Sequence, residues 1–399
     1  MSSDQHRFSR REVLGQLGMA SLTLPGLTTL MGLRTYSSSS GELMAALDQD
    51  SIYGMGTERK LGVALVGLGK YSEEQLGPAL EKTSLCQLTG IVTGTPDKAK
   101  KWKKKYNIPD KNVYNYQTFD QIADNPAIDI VYIVLPNTMH AEYSIRAAQA
   151  GKHVICEKPM AMTAAECQQM INASNKAGKK LSIGYRLHFE PHHHELMRLG
   201  QNEVMGKVNR IVADNGQKQS NDTPWRLGGG VGGGGPLRDV GVYCIQGAIY
   251  TKGEVPIAVT AKYHPVTDPK KFDKVEEGMD FQLHFADGTV AECKTSYNDK
   301  YNKLRGEAAN GWFELSPAYA YDGLKGATSQ GKMNIENVPQ QARQMDAFAD
   351  CILNNKATSV PGEMGMRDVQ IIEAVFRAAQ TGNKVSTREV VQVLDAVKK

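Results

Sequence analysis

The sequence predicts an α/β domain built on a parallel sheet, followed by an α+β domain with a large, mostly antiparallel open sheet. Two observations carry this. From Leu61 to residue 184, uninterrupted apolar runs alternate with helical patterns, which implies parallel strands covered on both faces. Beyond that point the pattern becomes a longer polar-apolar alternation, as strands with one solvated face require. A chain of 399 residues also exceeds one ordinary core. The expected organisation is an export signal and start of linker over 1–45, a linker or arm over 46–60, a first domain over 61–184 and a second over 185–399.

"LGVALVGLGK" is the first strand, ending in Gly67-Leu68-Gly69 before the helix candidate "SEEQLGPALEKT". Gly67 permits a tight turn, and Gly69 allows a pyrophosphate to approach the backbone at a helix N-terminus. Ser72 holds the third glycine position, so taken alone these glycines fit a simple strand-to-helix turn equally well. Their context points to a Rossmann dinucleotide-binding domain. "CQLTGIVTGT" follows at the spacing of a βαβ unit, then a basic helix, then "AIDIVYIVLP" with the helix "HAEYSIRAAQAG", then "KHVICEKP". Ligands of such sheets bind beyond the carboxyl ends of the strands. Those ends are Gly67 to Tyr71 (with Lys70), Thr93 to Thr95, Leu135 to Asn137, and Glu157, Lys158 and Pro159.

The second strand end separates two cofactors. An NAD site places Asp or Glu there for the ribose 2′-hydroxyl. This chain has Thr93, Thr95 and Lys98, whose hydroxyls and cation suit a 2′-phosphate, so NADP is expected.

The second half contains the strand candidates "KVNRIVADNG", "PIAVTAKYHP", "MDFQLHFADGTVAECKTSY" and "GWFELSPAYAY". The Asp-Gly of "HFADGTVAE" signals a hairpin. Helices from about Gln340 to Cys351 and from Met366 to Thr381 are expected to pack back on the first domain.

At the N-terminus, Ser9-Arg10-Arg11 precedes a mildly apolar stretch, the pattern of a twin-arginine export signal. Gly18 and Pro25 interrupt that stretch well short of the roughly 20 residues needed to span a bilayer, so stable membrane insertion is not expected. The export machinery is therefore an expected partner and the periplasm the expected location. Twin-arginine substrates cross folded, which suits a cofactor acquired in the cytoplasm.

A net charge of +4 gives no argument for a nucleic-acid partner, and "KAKKWKKKY" reads as the solvated face of a helix with Trp102 and Tyr106 on its buried side. The six cysteines show no metal-ligand spacing and read as small core residues. His192, His193 and His194 point about 100° apart on a helix and cannot chelate one ion from a single face, so no metal is expected.

"LVGLGKY", "LPNTMHAEY", "AGKHVICEKPMA", "IGYRLHF", "WRL", "GGGGPLRDVGVY" and "PGEMGMRDVQIIEAVFRAAQTG" together resemble the Gfo/Idh/MocA oxidoreductase family, and within it the glucose-fructose oxidoreductase branch. The resemblance implies that Lys158 lies beside the nicotinamide and the substrate hydroxyl. It also brings His140, Arg186, Trp225 and Arg226 to the cofactor, and Tyr185 and His188, with Lys158, Asp239 and Tyr243, to a carbohydrate substrate. Asp239 and Tyr243 are four apart and share a helix face. An ordinary tyrosine pKa of about 10 is high for a base at neutral pH, so Tyr243 is expected to exchange the proton with Lys158 as electrostatic partner and Asp239 as orienter. The glycine run 228–235 is richer than the family pattern; it reads as a loop close to substrate or as a linker. The implied activity is transfer of hydride between two sugars in a ping-pong cycle on tightly bound NADP. The other readings are a dehydrogenase or reductase with exchangeable NAD(P), an NAD-dependent glycosidase, and a sugar or nucleotide sensor without turnover. The family pairs its open sheets, so a homodimer or homotetramer is implied.

Overall fold

Leu61–Val66 (β1) is buried at all six positions, as an apolar run without alternation demands. It joins a six-stranded sheet with Cys86–Val92 (β2), Val113–Tyr114 (β3), Ile130–Ile133 (β4), His153–Cys156 (β5) and Leu181–Ile183 (β6), in the order β3-β2-β1-β4-β5-β6. All five pairings are parallel. The structure, a computed structural model, describes residues 59–220, 224–228, 233–390 and 392. The export signal with Arg10 and Arg11, the arm as far as residue 58, and the glycine-run positions 229–232 lie outside the described residues.

Pro96–Tyr106 (α1), His140–Gln149 (α2) and Ala164–Lys176 (α3) accompany this sheet. α1 starts with Pro96 and stops at Asn107, left-handed at φ 52. Trp102 is buried and stacks on Tyr106 at 5.0 Å, which leaves the lysines outward, as expected from the sequence. α3 opens on a capping box in which Thr163 and Glu166 satisfy each other's backbone amides.

After Pro191–Gln201 (α4) comes a nine-stranded sheet. Its strands are Val208–Gly216 (β7), Ala258–Tyr263 (β8), Gly278–His284 (β9), Val290–Ser296 (β10), Tyr301–Ala308 (β11), Gly311–Leu315 (β12), Gly326–Thr328 (β13), Gly331–Met333 (β14) and Val385–Ser386 (β15). The order is β14-β13-β12-β11-β7-β10-β9-β8-β15, and only β7 with β10 runs parallel. The Asp-Gly hairpin joins β9 to β10, with Gly288 at φ +89.

Three helices complete the cores, and the last of them enters both. Val242–Lys252 (α5) is buried from Val242 to Thr251 and shares a core with β7 and β11. Gln340–Leu353 (α6) sets Ala342, Met345, Phe348 and Ala349 against the first sheet. Gly362–Thr381 (α7) gives Met364, Met366 and Val369 to the first core and Ile371, Ile372 and Val375 to the second. Between Met366 and Val369 lies a fully buried ion pair, Arg367 with Asp368 at 2.7 Å. α6 and the first half of α7 thus pack against the first sheet.

Glu190 caps α4 and accounts for part of the histidine triplet: it accepts from His192 Nδ1 (2.6 Å) and His193 Nδ1 (3.0 Å). Five of the six cysteines are buried thiols. No helix among the described residues is long and apolar enough to cross a membrane.

Candidate active site

The strand ends of the first sheet gather the chemistry. Gly67 turns at φ +95, and a Cβ there would stand 2.4 Å from the Val134 carbonyl oxygen. Packing and backbone angle both demand glycine. A Cβ on Gly69 would meet no described atom within 4 Å, so the fold itself does not require that glycine. This open backbone fits the approach of a dinucleotide phosphate. Ser72, in the third glycine position, donates its hydroxyl to the Gly67 carbonyl at 2.6 Å and ties the turn to itself. Lys70 is exposed, 3.8 Å from Glu74. At the end of β2, Thr93 is buried and accepts from the Thr95 amide at 3.2 Å, while Thr95 and Lys98 are exposed.

At the end of β4, Leu135 and Asn137 are buried, and Asn137 Nδ2 donates to the Gly233 carbonyl at 2.7 Å. His140 lies between the carbonyls of Pro159 and Leu135, one on each ring nitrogen at 2.8 Å, and burial lowers its pKa. With a backbone carbonyl beside each ring nitrogen, His140 ties together the two loops that end β4 and β5.

β5 ends in Glu157, Lys158 and Pro159, and the Lys158–Pro159 peptide is cis. Glu157 points inward: Tyr132 donates to Oε1 at 2.8 Å, and Gln344 of α6 donates to the Tyr132 hydroxyl at 2.8 Å. Burial raises the Glu157 pKa despite the neighbouring Lys158 and Tyr132. Gly184 makes room for this carboxylate, since a Cβ there would stand 2.6 Å from Oε1.

Lys158 reaches the second domain. Its Nζ donates to the Asp239 carbonyl at 2.8 Å and to Asp239 Oδ1 at 3.2 Å, and stands 4.9 Å from the centre of the Tyr243 ring. Burial alone would lower its pKa, but the negative charge available on Tyr243, Asp239 and Glu157 outweighs burial and raises it. The other oxygen of Asp239 accepts from Arg226 Nε (2.7 Å) and the Tyr297 hydroxyl (2.8 Å). Burial pushes the Asp239 carboxyl up, yet Arg226 and Lys158 hold it well below the usual carboxylate range. Asp239 lies in a π turn, Leu237–Gly241, that runs directly into α5, which carries Tyr243.

Arg186 is buried with Cζ 5.2 Å from the Tyr243 ring centre and 4.5 Å from that of Tyr321. Its nitrogens donate to the Tyr319 (2.6 Å) and Ala320 (3.0 Å) carbonyls. Tyr321 remains 45% exposed and meets the Tyr71 ring at 5.6 Å. The second sheet thereby touches the glycine turn of the first.

The structure thus joins Lys158, Asp239, Tyr243, Arg186 and Arg226 in one cluster. Arg226, expected at the cofactor, pairs with Asp239 through Nε, and its guanidinium lies 4.6 Å from the half-buried Trp225 ring. Tyr185 and His188 lie elsewhere. Tyr185 is buried beside Asp368, and His188 packs on Tyr250 and Phe189, where burial takes its pKa down to about 3. Packing, rather than an open wall, surrounds Tyr185, against the expectation of sugar contact, while His188 is part-exposed. Tyr297 and Tyr321 were missed; nothing in "KTSY" or "SPAYAY" distinguishes them from strand and loop tyrosines.

Three family models match in order along this architecture. "Oxidoreductase family, NAD-binding Rossmann fold" covers residues 61–185, "GFO/IDH/MocA C-terminal domain" covers 193–315, and "Oxidoreductase family, C-terminal alpha/beta domain" covers 328–387. The chain belongs to the Gfo/Idh/MocA oxidoreductase family. A solved structure of this fold, aldose-aldose oxidoreductase from Caulobacter crescentus complexed with glycerol, is 40% identical with a TM-score of 0.79, over 82% of this chain and 100% of that one. D-xylose 1-dehydrogenase [NADP(+)] of Haloarcula marismortui is 27% identical over 82% of this chain and 94% of its own length. D-glucoside 3-dehydrogenase of Escherichia coli is 24% identical over 82% and 98%. Membership and the Rossmann and open-sheet architecture agree with the reading of the sequence.

Proposed function

We propose that this Gfo/Idh/MocA oxidoreductase oxidises one carbohydrate at a hydroxyl-bearing carbon and reduces a second, in a ping-pong cycle on one tightly held NADP. The observation that carries the reading is Lys158 Nζ set between the Asp239 carboxylate and the Tyr243 ring, beyond the carboxyl ends of the parallel strands. A bound nicotinamide supplies the hydride acceptor and, in the second half-reaction, the donor. Tyr243, as its phenolate, would take the proton of the substrate hydroxyl, and the phenol so formed would return it to the carbonyl oxygen of the second substrate. Lys158, kept cationic by Asp239, stabilises the negative charge that develops on those oxygens. Asp239, itself fixed by Arg226 and Tyr297, holds Lys158 in place.

Gly67 and Gly69 would seat the pyrophosphate, and Thr93, Thr95 and Lys98 would meet the 2′-phosphate, with a threonine where an NAD site places an acid. The carbohydrate class is supported by the aldose-aldose oxidoreductase and D-xylose 1-dehydrogenase likenesses. The NADP(+) in the latter name favours a second reading, a dehydrogenase that exchanges its cofactor at each turnover. Export by the twin-arginine route, through Arg10 and Arg11, and pairing of subunits through the open face of the nine-stranded sheet complete the proposal.

The test is the nucleotide content of protein purified without added cofactor. Acid release of about one NADP per chain supports retention. Release of NAD would refute the cofactor assignment, and protein free of nucleotide but active with added NADP would establish the exchanging dehydrogenase.

A further inference from the structure

On the other side of the turn that carries Asp239 lies a cavity of about 850 Å³, within the size range of small-molecule sites. None of Lys158, Asp239 and Tyr243 lines it. Its walls come from Met162 and Thr163 after β5, from Gly234 and Arg238, from β8 and the loop that follows it, and from the outer face of α7.

Arg238 is the residue that the proposed reaction leaves unused. Its neighbour Asp239 faces Lys158, whereas the Arg238 guanidinium stacks over Phe376 at 4.8 Å and lines the cavity. Among the described residues it makes no ion pair, although Glu276 and Glu373 act on it through space. Five guanidinium donors in a half-buried place need acceptors. Glu276 accepts the Leu237 amide on Oε1 at 3.0 Å and still lines the cavity, and Arg377 and Gln380 stand on its rim along α7.

The ligand class follows from this lining. Three cations (Arg238, Lys274, Arg377) face four carboxylates (Asp273, Glu276, Glu277, Glu373), so the wall is close to neutral and unsuited to a phosphate or nucleotide. Donors and acceptors stand together beside Tyr263 and the Arg238–Phe376 stack, which fits vicinal hydroxyls that accept from a guanidinium and donate to a carboxylate. We propose that this cavity is a second, non-catalytic site for a neutral carbohydrate, back to back with the Lys158–Asp239–Tyr243 cluster. It is separate from the hydride-transfer reading, because its test is a binding measurement.

The experiment is calorimetric titration of the full chain with trehalose, a neutral sugar without a free anomeric hydroxyl, in wild type, Phe376→Ala, Gln380→Ala and Tyr243→Phe. The site requires that wild type and Tyr243→Phe bind alike, that Phe376→Ala weakens binding by about tenfold through loss of the ring that holds Arg238 in the wall, and that the exposed Gln380→Ala weakens it in the same direction. Absence of binding to wild type overturns the proposal. So does loss of binding in Tyr243→Phe with Phe376→Ala and Gln380→Ala unaffected, which would put the sugar in the catalytic cluster. Tighter binding of glucose 6-phosphate than of trehalose, abolished by Phe376→Ala, would make the cavity an anion site and equally overturn it.

Discussion

Lys158 Nζ touches Asp239 twice, at 2.8 Å from its carbonyl oxygen and 3.2 Å from its carboxylate, so one residue of the second domain fixes the cation that ends a strand of the first. This contact exists only when both domains are packed together.

Replacing Lys158 by Ala removes the charge that stabilises the reacting oxygens. Turnover is expected to fall by about 10²–10³-fold. Sugar and nucleotide binding should persist, measured by calorimetry beside steady-state rates.

Asp239→Asn takes away the anion that offsets the burial of Lys158. The lysine pKa is raised in the native site partly by Asp239, so its loss lowers that pKa. The ammonium is then lost at lower pH, and the alkaline limb of the kcat profile is expected to move downward. A pH-rate series on both proteins checks the direction.

The two buried carboxylates have opposite signs in acid stability. Asp239 has a depressed pKa, so its contribution is present above the unfolded value of about 3.9 and is lost as pH falls below it. Glu157 has a raised pKa, so its contribution is full below about 4.3 and is lost as pH rises through the folded value. Glu157→Gln is therefore expected to be more stable relative to wild type at pH 8 than at pH 4, read from denaturant midpoints.

Gly184→Ala puts a methyl 2.6 Å from Glu157 Oε1. Displacement of that carboxylate disturbs the strand end beside Lys158. A loss of about 1–3 kcal/mol is expected by urea unfolding, with kcat lowered as well.

At the 2′-phosphate position, Lys98→Ala should weaken NADP by about tenfold, the range of one exposed charge-assisted contact, and leave NAD unchanged. Nucleotide titrations on stripped protein measure the ratio.

The first sheet was legible because parallel strands buried on both faces read as apolar runs, and its ligand positions follow from where those runs stop. Lys158, Asp239 and Tyr243 were found through motif and spacing. The pairing of Arg226 with Asp239 was not legible, because the two are separated in sequence by a glycine run. The family resemblance brought Tyr185 and His188 to the substrate, but which way a side chain turns is set by packing: Tyr185 turns into the interior beside Asp368, while Arg186 reaches the Tyr243 ring. Tyr297 and Tyr321 reach the site through long-range packing of the second sheet, which no local pattern records. His140 resembled a ligand residue, yet its role is set by two carbonyls far from it in character and close in space.

The most direct test of the central claim is absorbance at the reduced-nicotinamide band after glucose is added to protein with its own nucleotide, in wild type and Tyr243→Phe. The account expects a stoichiometric rise in wild type, reversed by a second sugar such as fructose, and a rise slowed by about 10²–10⁴-fold in Tyr243→Phe. An equally fast rise in Tyr243→Phe would contradict the assignment of the proton to Tyr243, and no rise in nucleotide-loaded wild type with any of glucose, xylose or other aldoses would contradict sugar oxidation itself.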